Sequence, residues 1–349
     1  MPWTKILLDP EDVDDLRQSG DYRALTYVEA LREAQAQLLE NDPRVFLIGQ
    51  GIDDSTGVFG STQGLAERFG AKRVMDSPIA ENGVTGMVLG AAAAGMRPIY
   101  IHHRIDFLPM AMDQIVNHAA KWSYMSGGNA CAPLVIRSLI GRGWGSAAQH
   151  SQSLYGLFMH VPGLRIVVPA SPYDAKGLMF AAVEDPNPVL FVEHRWLYNA
   201  KGYVPEQPYT VAFGEAVTRV EGQDVTIVAI SQMVHEALKA AKELRTQGIS
   251  VEVIDPRTIS PLDDAAIIDS VAKTGRIVIA DTACAIGGAS AEIACRIAET
   301  IPEKLKAPIK RITFPNCPTP AGPSLEQAYY PGVPDIVRAV REVLDAGSG

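Results

Sequence analysis

The chain has 349 residues, enough for two or three domains of ordinary size, and its composition, 47% hydrophobic and 20% charged, is that of a globular protein with a sizeable core. A net charge of −9, spread without long like-charge runs, excludes a nucleic-acid footprint. No apolar run reaches the ~20 residues of a membrane span, and the acidic start MPWTKILLDPEDVDDLRQSG is no signal peptide, so a cytoplasmic location is expected.

In chain order, residues 1–23 form a polar lead-in. TYVEALREAQAQLLEND (26–42) has helical spacing, and RVFLIGQG (44–51) reads as a buried strand closed by glycine. KRVMDSP (72–78) is a short strand, followed by a helix of small residues stopped at Gly95 and Pro98. RPIYIHH (97–103) is a strand, 108–128 a helix, PLVIRSLIG (133–141) a strand, and GRGWG (141–145) opens a glycine-rich loop. LRIVVPA (164–170), a helix over 171–185 capped by Ser171, and PVLFVEH (188–194) complete the first half. A Pro-, Gly- and Tyr-rich stretch then separates a second alternation: strands at 224–231, 250–258, 276–283 and 309–315, helices at 233–248, 263–275 and 287–301. Strands alternating with helices predict parallel sheets, hence an α/β fold of two doubly wound domains, at 24–200 and 216–349, with a linker at 201–215.

Four cysteines, Cys131, Cys284, Cys295 and Cys317, form no redox or zinc pattern and read as reduced core thiols. No G-x-G-x-x-G follows a strand, and no P-loop or G-x-S-x-G is present. No GDG with a downstream asparagine, the pattern that supplies Mg²⁺ and diphosphate ligands in thiamine enzymes, occurs either. The octet DSPIAENG (76–83) is the chemical signal. Glu81 stands at the mouth of the small-residue helix, where a charge is costly unless something binds it. By itself the octet leaves two readings, a carboxylate favoured by the helix N-terminus or a ligand-holding acid.

The octet, IDFLPMAMDQIVNHAAKWSYMSGG (105–128), AAQHSQS (147–153), HVPGLRIVVPASPYDAKGLMFAAVEDPNPVLFVEHRWLY (160–198) and VIDPRTISPLD (253–263) occur in order and at matching spacing. Together they resemble the beta subunit of thiamine-diphosphate-dependent 2-oxo acid dehydrogenases, from about residue 24 to residue 345. The resemblance implies a pyrimidine-binding domain followed by a transketolase-type C-terminal domain. It also implies an alpha subunit that carries diphosphate and Mg²⁺ in an α₂β₂ assembly, serving a lipoyl acyltransferase core.

By resemblance, Glu81 pushes the aminopyrimidine towards its reactive tautomer, Phe107 packs on that ring with Ile79 nearby, and His150 is the active-site histidine. A potassium-type cation falls to the main-chain carbonyls of Leu134, Ala182, Val183, Asp185 and Asn187. Two departures stand out. Gln50 replaces an acidic residue, which removes any acidic relay through that position. YIHHRIDF places His102, His103 and Arg104 where the family is apolar, and Arg104 would suit an extra carboxylate or phosphate on the substrate. That keeps open a second function, a two-chain transketolase-like transferase or carboligase acting on a polar or phosphorylated donor. His160 and His235 read as structural, His194 and Arg195 as interface or loop anchors.

Overall fold

The computed structural model describes residues 5–9, 12, 23–141 and 145–346, so most of the lead-in and residues 142–144 of the glycine-rich loop lie outside it. β1 (Ala24–Thr26) leads into the helix Tyr27–Asn41, which Thr26 starts by accepting the Glu29 N–H while the Glu29 carboxylate caps Thr26. Strands β2 (Val45–Gly49), β3 (Val74–Asp76), β4 (Arg97–His102), β5 (Val135–Ile140), β6 (Arg165–Val167) and β7 (Val189–His194) pair parallel in the order β6-β7-β5-β4-β2-β3. Their side chains alternate between two cores. Val45, Leu47, Ile99 and Ile101 enter one, while Phe46, Ile48 and Tyr100 enter the other. Both faces are therefore covered, as parallel sheets require.

β8 (Lys201–Tyr203) returns antiparallel to β1, so the stretch expected as a surface linker begins with a strand. The second sheet follows the order β14-β13-β10-β11-β9. It is built from β9 (Val217–Val220), β10 (Val225–Ala229), β11 (Val251–Asp255), β13 (Ile277–Cys284) and β14 (Lys310–Phe314), with β9 antiparallel at its edge. The segment expected as one strand over 250–258 splits after Asp255. Its continuation, β12 (Thr258–Ser260), crosses over and pairs antiparallel with β6 on the edge of the first sheet. The largest core cluster is shared: Val228, Ile230, Ile254 and Ile279 of the second sheet join Ile136, Ile166 and Leu190 of the first.

Two further expectations are corrected, and one helix adds to them. The α-helix expected over 108–128 is replaced by a 3₁₀ turn (Ile105–Ala111), a π turn (Asp113–His118), a second 3₁₀ turn (Ala119–Lys121) and a short α-turn (Trp122–Met125). Pro109 lies inside the first 3₁₀ turn and lacks the N–H that an α-helix continued back to Ile105 would need there. All four cysteines are exposed rather than in the core, because they fall on loops, a strand end and an outward helix face. The helix Val333–Asp345 was not foreseen, although Ile336, Val337, Val340 and Val343 carry helical spacing and are buried.

Polar groups also tie the sheets together. Arg219 bonds Asp174 from the first sheet's helix layer and Asp255 from the second sheet, the latter at 2.6 Å. His235 is buried with a ring nitrogen 2.8 Å from the Ala170 carbonyl. Tyr155 donates its hydroxyl to Asp281, which also accepts the Ser290 N–H at 3.3 Å. Burial outweighs these bonds and pushes the Asp281 carboxyl up from 3.8 to about 6. The folded state therefore holds this proton more tightly than the unfolded state. The contribution to stability is fully present below pH 3.8 and is lost as pH rises through 6, by roughly 3 kcal/mol. Urea unfolding of Asp281→Asn against the parent at pH 4 and pH 7.5 checks this. The variant should lose that part of the pH dependence, and an unchanged pH slope would refute it.

Candidate active site

The carboxyl ends of parallel strands are where side chains can converge without a covering layer. Here β2, β4 and the start of the helix Glu81–Ala93 enclose a cavity of about 370 Å³. Gln50, Gly51, Glu81 and Tyr100 line it together with residues 101–104, Phe107 and His150. Gly49 admits the close approach of its neighbour strand, since a Cβ there would stand 2.5 Å from the Ile101 carbonyl.

Glu81 is the first residue of its helix and is buried, and no side chain caps the helix start at Ala80. Thr85 donates to its main-chain carbonyl at 2.6 Å. Carboxylate atom Oε2, however, has no hydrogen-bond partner within the protein. An unpaired buried carboxylate oxygen is costly, so the position favours a ligand that donates to it over a purely structural cap. Tyr100, two residues before His102 on the same face of β4, was not foreseen as a site residue. Burial and the neighbouring Glu81 push its hydroxyl up to about 12, so it stays protonated.

Phe107 is half-buried, and His150 meets it edge-on with ring centroids 5.2 Å apart. His150 is exposed, on the segment 145–153. Ile79 does not line the cavity. It is 81% exposed, because residues 78–80 run along the surface before the helix begins.

The histidine–arginine run is drawn inward. His102 is buried against the Tyr100 ring at 4.2 Å, and burial, then the neighbouring His103, lowers it from 6.5 to about 3. Its Nε2 has no protein partner. His103 places Nε2 on the Gln50 carbonyl. Arg104 bonds the Gly141 carbonyl through Nη2, and its Nε stands 3.6 Å from Asp106 Oδ2. Neutral His102 and an Arg104 already engaged make a poor receptor for a second anionic group.

The five potassium-type positions lie around the loop between the helix Pro172–Glu184 and β7 and around the start of β5. Two of the carbonyls already accept hydrogen bonds: Leu134 from the Val189 N–H at 2.9 Å, and Val183 from the Arg97 guanidinium. The Asp185 carboxylate pairs with Arg165 at 2.7 Å. Among the described residues, no cluster of three His, Cys, Asp or Glu side chains could hold a metal.

Residues 23–201 match the family model of the transketolase pyrimidine-binding domain, and residues 214–336 that of the transketolase C-terminal domain. Over 334 residues the chain is 44% identical to the acetoin:2,6-dichlorophenolindophenol oxidoreductase subunit beta of Bacillus subtilis (strain 168), covering 92% of this chain and 98% of that one. It is 43% identical over 319 residues to the pyruvate dehydrogenase E1 component subunit beta of Rickettsia felis, covering 91% and 98%. The chain belongs to the beta-subunit family of the 2-oxo acid dehydrogenases. A further family member, the 2-oxoisovalerate dehydrogenase subunit beta of Bacillus subtilis, is 41% identical over 323 residues, covering 92% and 99%. The beta-subunit fold also matches a solved split-gene transketolase, described as an inactive β4 tetramer. There the TM-score is 0.74 and the identity 25%, covering 93% of this chain and 99% of that one. No helix among the described residues is long and apolar enough to cross a membrane.

Proposed function

We propose that this chain is the beta half of a thiamine-diphosphate-dependent 2-oxo acid dehydrogenase, active in the cytoplasm with an alpha subunit that supplies the diphosphate and Mg²⁺ ligands. One observation carries the reading: the unpartnered Oε2 of buried Glu81, at a cavity rimmed by Phe107 and His150. These residues fit an aminopyrimidine, which needs an acid at a ring nitrogen and an apolar face. The bound cofactor supplies the electron sink for breaking the bond next to a carbonyl. Glu81 holds or moves a proton at the pyrimidine nitrogen, Phe107 offers its ring as a platform, and His150 steadies the substrate carboxylate or the lipoyl acceptor. Gln50 cannot hold a proton, so acid–base linkage to a second site does not run through it.

The transketolase-like transferase reading is the weaker of the two. The relatives above 40% identity bear acetoin, pyruvate or 2-oxoisovalerate names, and the transketolase stands at 25%. Arg104, the candidate phosphate receptor, is engaged by Gly141 and Asp106. The test is co-expression with an alpha chain bearing GDG and a downstream asparagine. Thiamine diphosphate binding and oxo-acid-dependent reduction of 2,6-dichlorophenolindophenol are then measured beside a ketol-transfer assay. Dye reduction by the pair but not by the single chain is expected. Ketol transfer without dye reduction, or turnover by this chain alone, would overturn the proposal.

A further inference from the structure

The exposed His150 ring owes little of its position to its own contacts. The backbone N–H of His150 reaches the Ala147 carbonyl only at 3.4 Å, and the ring meets Phe107 edge-on. Two residues just beyond the end of β4 bond the chain on either side of His150. Asp106 Oδ1 accepts both the backbone N–H of Gln152 at 3.1 Å and its side-chain amide at 3.0 Å, two residues beyond His150. The Asp106 side chain is 1% exposed, and its other oxygen, Oδ2, has no hydrogen-bond partner and faces Arg104 Nε at 3.6 Å. Arg104 in turn donates to the carbonyl of Gly141, where β5 gives way to the loop that leads to His150. Gly141 is wedged on its other side. Its φ is +86°, and a Cβ there would stand 2.6 Å from the His194 ring.

We propose that Arg104 and Asp106 are positioning residues that clasp the two ends of the histidine-bearing connection, Gly141 and Gln152, and so set His150 against Phe107. The inference rests on the active-site reading of His150 given above. It reassigns Arg104 from a substrate anchor to a loop anchor. Phe107 follows Asp106 directly, so one short turn fixes the aromatic platform and, through Gln152, the histidine that faces it. The Asp106 carboxylate accepts both amide donors of Gln152 and sets a negative charge beside the Arg104 guanidinium, whereas an apolar side chain there would release Gln152 and remove that charge.

The test uses the full chain and its reconstituted complex. In the full chain, amide exchange across 145–153 is expected to speed up at least tenfold in Asp106→Ala. Asp106→Asn, which keeps the accepting oxygen, should recover most of the protection. Gln152→Ala, which keeps the backbone bond and removes the amide, should give an intermediate value and serves if Asp106→Ala fails to fold. In the complex, Asp106→Ala should lower kcat about tenfold with thiamine diphosphate affinity unchanged. Combined with His150→Ala it should add no further loss. Unchanged exchange in 145–153 would overturn the clasp, and losses that multiply in the double variant would overturn its action through His150. If no complex shows dehydrogenase activity, the functional reading fails while the exchange measurement still decides the clasp.

Discussion

Glu81→Gln is expected to lower turnover of the reconstituted complex by roughly 10²–10⁴-fold, the range for removing a positioned acid–base group. The fold should be unharmed. The carboxylate's Oε2 has no protein partner to lose, and the neutral amide is cheaper to bury than an unpaired charge. Glu81 does stand in the first turn of its helix, where a negative charge gains ~0.3–1 kcal/mol. The two effects oppose each other, so thermal stability should move little in either direction. Activity and stability together separate the roles. A helix-start residue would lose stability and keep turnover, while a ligand-holding acid loses turnover and keeps stability. Full turnover in Glu81→Gln would defeat the catalytic assignment whatever the melting temperature.

Much of this site was legible because local sequence specifies it. Glu81 and Phe107 each sit one short step beyond a strand, and apolar runs such as VFLIG and the VLFV of β7 declare their strands unaided. What the sequence hid is non-local. Arg104 reads as a cation facing a pocket until Gly141 and Asp106 are seen to engage it. His102 reads as a polar substitution beside a pocket until burial is seen to leave it neutral. The strand formed by Thr258–Ser260 belongs by sequence to the second half, yet its partner is in the first sheet, and no local pattern encodes that crossing. The segment 108–128, expected as one helix, has apolar spacing close to α-helical, and only Pro109 hints at the 3₁₀ and π turns.

Arg137 is the sharpest case, because its sequence PLVIRSLIG puts a charge in the middle of a central strand. The side chain is fully buried, as is that of its partner Glu193 on β7. The register pairs Leu139 with Glu193 and Arg137 with Phe191, which sets the two charges diagonally on one face. Arg137 Nε and Nη2 bond the two carboxylate oxygens at 2.5 and 2.8 Å, Nη1 bonds Gln35 at 2.7 Å, and Nη2 also reaches Ser61 at 3.0 Å. Tyr198 donates to the same carboxylate at 2.7 Å. Burial alone would lower the guanidinium's pKa, but Glu193 outweighs it and holds the proton more firmly than usual.

Arg137→Met should therefore cost about 3–5 kcal/mol, because it leaves Glu193 buried with only Tyr198 to compensate it. Removing both charges, in Arg137→Met with Glu193→Leu, should recover a large part of that loss. Recovery stays incomplete because Gln35, Ser61 and Tyr198 then lose their partners. Urea unfolding of the two single variants and the double variant forms the cycle that measures the coupling. A double variant no more stable than Arg137→Met would mean that the surrounding hydroxyls and amide, rather than the ion pair, dominate this part of the core.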